Sequence, residues 1–188
     1  MSCQQCGFAH NCVCEQLPQV NIGFELVILY HPNELQRATN TGKLLTKSLV
    51  GATHYQWSRT EPPAELLTRI AEHDNVKLLF PSNTSAPLTH DEPNKVLYII
   101  LDATWQEAKK MWRQSPWLQQ LSQVHIESNR LSQYTLRRNQ EQGNLCTFEV
   151  GSALVATHEG THSTQKLERF FEHYLKVFQA DRCGHKLN

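Results

Sequence analysis

Cys3, Cys6, Cys12 and Cys14 fall within the first 14 residues at the spacing C-x2-C-x5-C-x-C. Four thiolates are a complete tetrahedral set for Zn2+, and a closed set of this kind is structural because no coordination position stays open. The stretch is too short to have a core of its own, so bound metal is what folds it. Two disulfides are the competing chemistry. The N-terminus has no basic start followed by an apolar run, so it does not read as a secretory signal, and the expected compartment is the reducing cytoplasm. Cys146 and Cys183 stand alone and read as a buried thiol and a tail residue.

A second chemical signal lies in "LDATWQEAKKMW" (101–112), which follows the apolar run "KVLYIIL" (95–101). Thr104 with Glu107 three residues on is a capping box, so a helix starts where the strand ends. The free backbone N–H groups of that helix start can receive a carboxylate. Trp105, Ala108 and Trp112 share one helical face, with Met111 beside them, which makes this face core. Asp102 is the unusual residue, because a carboxylate at a buried strand end must find a partner. A third signal, "HEGTH" (158–162), matches the zinc-protease pattern H-E-x-x-H, which needs both histidines on one helix. Gly160 and Thr161 interrupt that helix, and Ser163 reads as the cap of the next one, so the segment is a turn and a metalloprotease is a remote reading.

These residues need a scaffold. The buried strands expected are 24–30, 76–80 and 95–101, with a further strand at 123–127. The helices expected are 41–50, capped by Asn40 or Thr41; 62–73, opened by prolines; 104–112; 145–158, with a capping threonine; and 164–178. Continuous apolar strands separated by helices predict an α/β fold with a mainly parallel sheet covered by helices on both faces. Ligands in such sheets sit beyond the carboxyl ends of the strands, here "FPSNTS" and "LDATW". A chain of 188 residues suits one catalytic domain, at 19–188, after a four-cysteine knuckle at 1–18.

Eighteen basic and eighteen acidic residues leave no net charge, so bulk electrostatics do not argue for nucleic acid. Any such site is a local patch: Lys109, Lys110 and Arg113, or Arg130, Arg137 and Arg138. No apolar run approaches the ~20 residues of a membrane span, and no protein partner is implied.

The ordered set of motifs resembles the DTW-domain family. Its carriers are the cysteine cluster "CQQCGFAHNCVC", "YHPNELQRATNTGKLL" (30–45), "LLFPS" (78–82), "LDATW", "YTLRR" (134–138) and "CTFEVGSAL" (146–154). The last segment departs from the family pattern, with Cys146 for the usual serine and Val150 for the usual alanine, while Thr147 and Glu149 remain.

The resemblance implies a tRNA-uridine aminocarboxypropyltransferase. It implies a fold related to the knotted SPOUT methyltransferases, with S-adenosylmethionine bound near the knot. The 3-amino-3-carboxypropyl group moves to N3 of a uridine, leaving 5′-methylthioadenosine. Asp102 becomes the base that takes the N3 proton, or the anchor of the donor's ammonium. Phe80, Pro81, Ser82, Leu101, Thr104, Trp105, Thr147 and Glu149 become the lining of the donor pocket. Thr39, Asn40, Thr41 and Gly42 orient substrate or close the pocket. Arg37, Lys109, Lys110, Arg130, Arg137 and Arg138 grip RNA phosphates. A SPOUT-type RNA methyltransferase, releasing S-adenosylhomocysteine, and a non-catalytic zinc-containing RNA-binding module are the alternatives.

Overall fold

The computed structural model describes residues 3–90, 95–127, 132, 134 and 145–187. Its strands are β1 (Val20–Asn21), β2 (Glu25–Tyr30), β3 (Leu49–Val50), β4 (Thr53–Gln56), β5 (Val76–Leu79), β6 (Ala86–Pro87), β7 (Leu97–Asp102) and β8 (Ser122–His125). Its α-helices are α1 (Thr41–Ser48), α2 (Ala64–Glu72), α3 (Trp105–Arg113), α4 (Pro116–Gln119), α5 (Thr147–Glu159) and α6 (Thr161–Arg182).

Six strands form one sheet in the order β4-β2-β7-β5-β8-β6, and every pairing in it is parallel. The most apolar run, β7, is buried along its whole length and lies inside the sheet against β2 and β5. Side chains alternate across a strand, so β2, β5 and β7 each feed two cores. Leu26, Ile28, Tyr98 and Ile100 join one cluster with Leu45, Phe148, Leu154 and Phe171. Val27, Leu29, Ile99 and Leu101 join the other with Leu66, Met111 and Leu118. Helices therefore cover both faces, with α1, α5 and α6 on one and α2, α3 and α4 on the other. The predicted α/β layering is what the chain forms.

Several expected boundaries move. The helix expected at 41–50 stops at Ser48, because Leu49 and Val50 turn extended and pair with β1 before the chain reverses at Gly51, φ 88°. A β-branched valine loses little by leaving a helix for a strand. The polar-looking "THYQ" forms the edge strand β4, whose side chains alternate between half-buried and exposed. The cap of α5 is Cys146 and not a threonine; Thr147 is the first helical residue. Gly160 takes φ 79° between α5 and α6, so α6 begins at Thr161, and Ser163 lies inside its first turn instead of capping it. That break puts His158 and His162 on different helices, which disposes of the zinc-protease pattern. His158 instead shares a 2.9 Å hydrogen bond with the buried Tyr98 hydroxyl.

The N-terminal loop is tied to the far end of the chain. Phe8 packs on Tyr174 and Phe178 of α6, ring centroids 5.7 and 5.9 Å apart. The Asp181 carboxylate accepts the backbone N–H groups of Ala9, His10 and Asn11 at 2.6–3.2 Å.

Candidate active site at the end of strand β7

Asp102 is the last residue of β7 and is only 2% exposed. Three helix starts converge on it. Residue 104 caps α3 two positions later, with its hydroxyl receiving the Glu107 N–H at 3.3 Å and the Glu107 carboxylate returning to Thr104 N–H at 2.9 Å. Thr147, at the start of α5, donates its hydroxyl to Asp102 Oδ1 at 2.6 Å. Gly42, in the first turn of α1, has no side chain to hold the carboxylate away. A β-carbon there would lie 2.5 Å from Asp102 Cγ. Helix N-termini carry partial positive charge, and those of α1 and α5 both lie beside this carboxylate.

Asn40 sets the start of α1, accepting the Lys43 N–H at 2.8 Å while its own amide donates to the Glu34 carbonyl at 2.9 Å. Thr41 is buried beside it, and the Thr39 carbonyl accepts the Tyr134 hydroxyl at 2.6 Å. The four residues expected to orient substrate therefore form one tethered turn beside Asp102. A cleft of about 250 Å3 opens here, with Ile28, Tyr30 and Leu35 as its apolar wall and Asn40, Gly42 and Asp102 at its polar end.

The residues expected to line the donor pocket divide between the two sheet faces: Phe80, Leu101 and Trp105 lie on the face of α3, whereas Thr147 and Glu149 start α5 on the face of α1. Leu101 is core, and Phe80 stacks on Trp105 and Trp112 at 5.3 and 5.7 Å. Pro81 is exposed, and Ser82 donates to Gln123 Oε1 at 2.5 Å, which fixes the loop after β5 to β8. Glu149 accepts the Cys146 N–H at 2.8 Å and the Ser132 hydroxyl at 2.7 Å, so it braces the start of α5.

Arg37 does more inside the molecule than on its surface. Its guanidinium forks onto Glu107, with both N···O distances 2.9 Å, and also pairs with the fully buried Glu34. Asn33 adds a 2.8 Å bond to Glu107. Burial pushes the Glu107 carboxyl up, but the Arg37 fork and the donors of Thr104 and Asn33 outweigh it and leave Glu107 well below the carboxylate range. The same pairs hold Arg37 above its ordinary value against desolvation. Burial lowers His31, whose Nδ1 accepts the Asn33 N–H at 3.3 Å while its ring stacks on Trp57 at 5.5 Å. His31 and Glu34 are the His-x-x-Glu of the segment 30–45 that resembles the family, whereas Asn33 carries no chemical signature in the sequence. The three-residue step from Glu34 to Arg37 is the one clue that a pair forms there.

Lys109 lies over the Trp105 ring, 4.9 Å from its centroid, and Lys110 is exposed on the same helix. Arg130, Arg137 and Arg138 lie outside the described residues.

The four N-terminal sulfurs lie within 4.8 Å of one another, with Sγ···Sγ distances of 3.7, 3.8 and 4.0 Å among the nearer pairs. A tetrahedral zinc–thiolate centre with bonds of about 2.3 Å needs its sulfurs roughly 3.8 Å apart. The cluster can therefore hold a metal ion. The backbone N–H groups of Cys6 and Gln5 bring the Cys3 thiol down to about 6, whereas burial and the neighbouring thiols push Cys14 up to about 12. Without a cation, crowding opposes the charge that four ligands must carry; a dication reverses that balance.

The DTW domain family matches residues 1–179. This chain is a member of the DTW-domain family. Relatives share its length unevenly. The chain is 30% identical over 178 residues to tRNA-uridine aminocarboxypropyltransferase 2 of Drosophila melanogaster, covering 90% of this chain and 71% of that protein. It is 34% identical over 129 residues to tRNA-uridine aminocarboxypropyltransferase A of Arabidopsis thaliana, covering 55% of this chain and 47% of that protein. With tRNA-uridine aminocarboxypropyltransferase 2 of Macaca fascicularis it shares 24% identity, covering 87% and 58%. No solved structure matches. In this DTW domain the Asp-x-Thr-Trp residues divide by role: Asp102 faces the convergent helix starts, Thr104 caps α3, and Trp105 stacks on Phe80. No helix among the described residues is long and apolar enough to cross a membrane.

Proposed function

We propose that this DTW domain is a tRNA-uridine aminocarboxypropyltransferase, moving the 3-amino-3-carboxypropyl group of S-adenosylmethionine to N3 of a uridine in tRNA. The observation that carries the reading is the buried Asp102 carboxylate, held by Thr147 at the mouth of the sheet, in a chain whose family match spans residues 1–179. The donor supplies a sulfonium whose γ-carbon takes the nitrogen lone pair as the carbon–sulfur bond breaks, its electrons staying with the 5′-methylthioadenosine that leaves.

The protein's own part is acid–base and positional. Uridine N3 is a poor nucleophile while protonated, and a carboxylate within hydrogen-bond reach removes that proton. Asp102 is the base in this scheme, with Thr147 fixing Oδ1 and Gly42 leaving the approach open. The start of α5, a 13-residue helix, offers N–H groups suited to the carboxylate of the donor's amino acid arm. Phe80, Pro81, Ser82, Leu101, Thr104 and Trp105 line the donor side, and Glu149 braces it. Thr39, Asn40, Thr41 and Gly42 shape the substrate side. Arg37 positions the 31–40 turn against α3, while Lys109, Lys110, Arg130, Arg137 and Arg138 meet phosphates. Zn2+ occupies the four-cysteine knuckle, the fold is SPOUT-like and knotted, and the protein works in the cytoplasm.

Incubation with unmodified tRNA and S-adenosylmethionine, followed by mass spectrometry of the small product, tests the reaction. Methylthioadenosine is expected. S-adenosylhomocysteine would make the protein a methyltransferase, and tight tRNA binding without turnover would make it a binding module. Asp102→Asn is expected to bind donor and lose most turnover; full turnover there would remove Asp102 from the role of base.

A further inference from the structure

The cleft beside Asp102 has a second wall with its own chemistry. Lys43 and Lys47 stand one turn apart on α1, so they share a face. Lys43 Nζ donates to the Leu35 carbonyl at 3.0 Å, and Lys47 Nζ donates to the Gln5 carbonyl of the knuckle loop at 3.2 Å. Among the described residues neither ammonium meets a carboxylate. Both are exposed at the edge of the cleft that Asp102 closes. His54 and Tyr30 complete this wall with rings 5.9 Å apart.

We infer that this cleft is the RNA entrance, with Lys43 and Lys47 gripping phosphates that flank the target nucleotide and the Tyr30–His54 pair flanking its base. The inference rests on the proposed tRNA reading and deepens it. Three features favour a single-stranded nucleotide as occupant. Cations satisfied only by neutral carbonyls gain by exchanging one for a phosphate oxygen. Aromatic rings beside an apolar wall suit an unstacked base. Asp102, a buried carboxylate, lines this cleft, which suits the N–H edge of a base better than a phosphate. Arg37, whose fork is committed to Glu34 and Glu107, leaves this grip to α1.

The test measures tRNA affinity across a salt series for wild type, Lys43→Gln, Lys47→Gln and the double variant. S-adenosylmethionine affinity is measured in parallel by calorimetry. Each lost single-strand phosphate contact lowers the salt slope by about 0.7, so the double variant is expected to lose about 1.4. Donor affinity is expected to stay at the wild-type level, and Lys43→Arg with Lys47→Arg to restore tRNA binding. Loss of donor affinity with an intact tRNA salt slope would hand the cleft to the donor and overturn the inference. Unchanged tRNA binding in the double variant, or failure of the arginine pair to restore it, would overturn it as well. A wild-type protein that binds no tRNA fails at the first measurement, and there the tRNA reading itself falls.

Discussion

Gly42 and Asp102 touch at the carboxyl end of β7 so closely that a β-carbon on residue 42 would lie 2.5 Å from the Asp102 Cγ. The contact couples the start of α1 to the end of β7. Gly42→Ala therefore forces either the helix or the carboxylate to move, at a cost of about 1–3 kcal/mol for overpacking. Turnover is expected to collapse while a folded protein remains, read as a lowered melting temperature with retained circular dichroism. An alanine variant with wild-type turnover would show that the carboxylate position is immaterial.

Thr147→Val keeps the shape of the side chain and removes the hydroxyl that meets Asp102 at 2.6 Å. Hydrogen bonds to a charged group contribute about 1.5–3 kcal/mol, so turnover should drop roughly tenfold or more. Thr147→Ser should recover most of it. Equal rates for the valine and serine variants would argue that the hydroxyl does nothing for the reaction.

Glu107 closes three connections at once: the α3 cap, the Arg37 fork and the Asn33 amide. Glu107→Gln leaves Arg37 with a neutral partner and is expected to cost about 2–4 kcal/mol. In the native protein the carboxyl titrates below its unfolded value of about 4.3. Its stabilisation is complete above that value and drains away as the pH falls through the folded one. Denaturant midpoints from pH 7 to pH 3 should fall less steeply below pH 4 in Glu107→Gln than in wild type. Parallel curves would locate the acid sensitivity elsewhere.

Metal removal should loosen both ends of the chain. A chelator that empties the cysteine cluster frees the loop holding Phe8 and the Asp181 contacts, so the melting temperature should fall and return with added Zn2+. Cys3→Ser with Cys6→Ser should abolish the stoichiometric metal. Full metal content in that double variant would place the ion at another site.

What the sequence made legible was local. Thr104 and Glu107 form their capping box three residues apart, the cysteines cluster within 14 residues, and the apolar runs of β2, β5 and β7 lie where period and composition put them. What it withheld was long-range. Arg37 reads as a phosphate ligand until Glu107, 70 residues on, claims its fork. Thr147 reads as a cap until the fold brings Asp102 to its hydroxyl. The edge strand β4 has no apolar run because only part of it is buried, and Leu49–Val50 leaves its helix for a partner strand that periodicity does not register.

The hydroxyl of Thr147 reaches a carboxylate 45 residues back along the chain, and the helix that carries it lies near the C-terminal end. A ribosome that has released β7 has made the acid but not its holder. No truncated product that ends before α5 can assemble the pair, however well its sheet forms. The pair is therefore a product of α5: nothing made earlier in synthesis, however complete its sheet, positions this carboxylate.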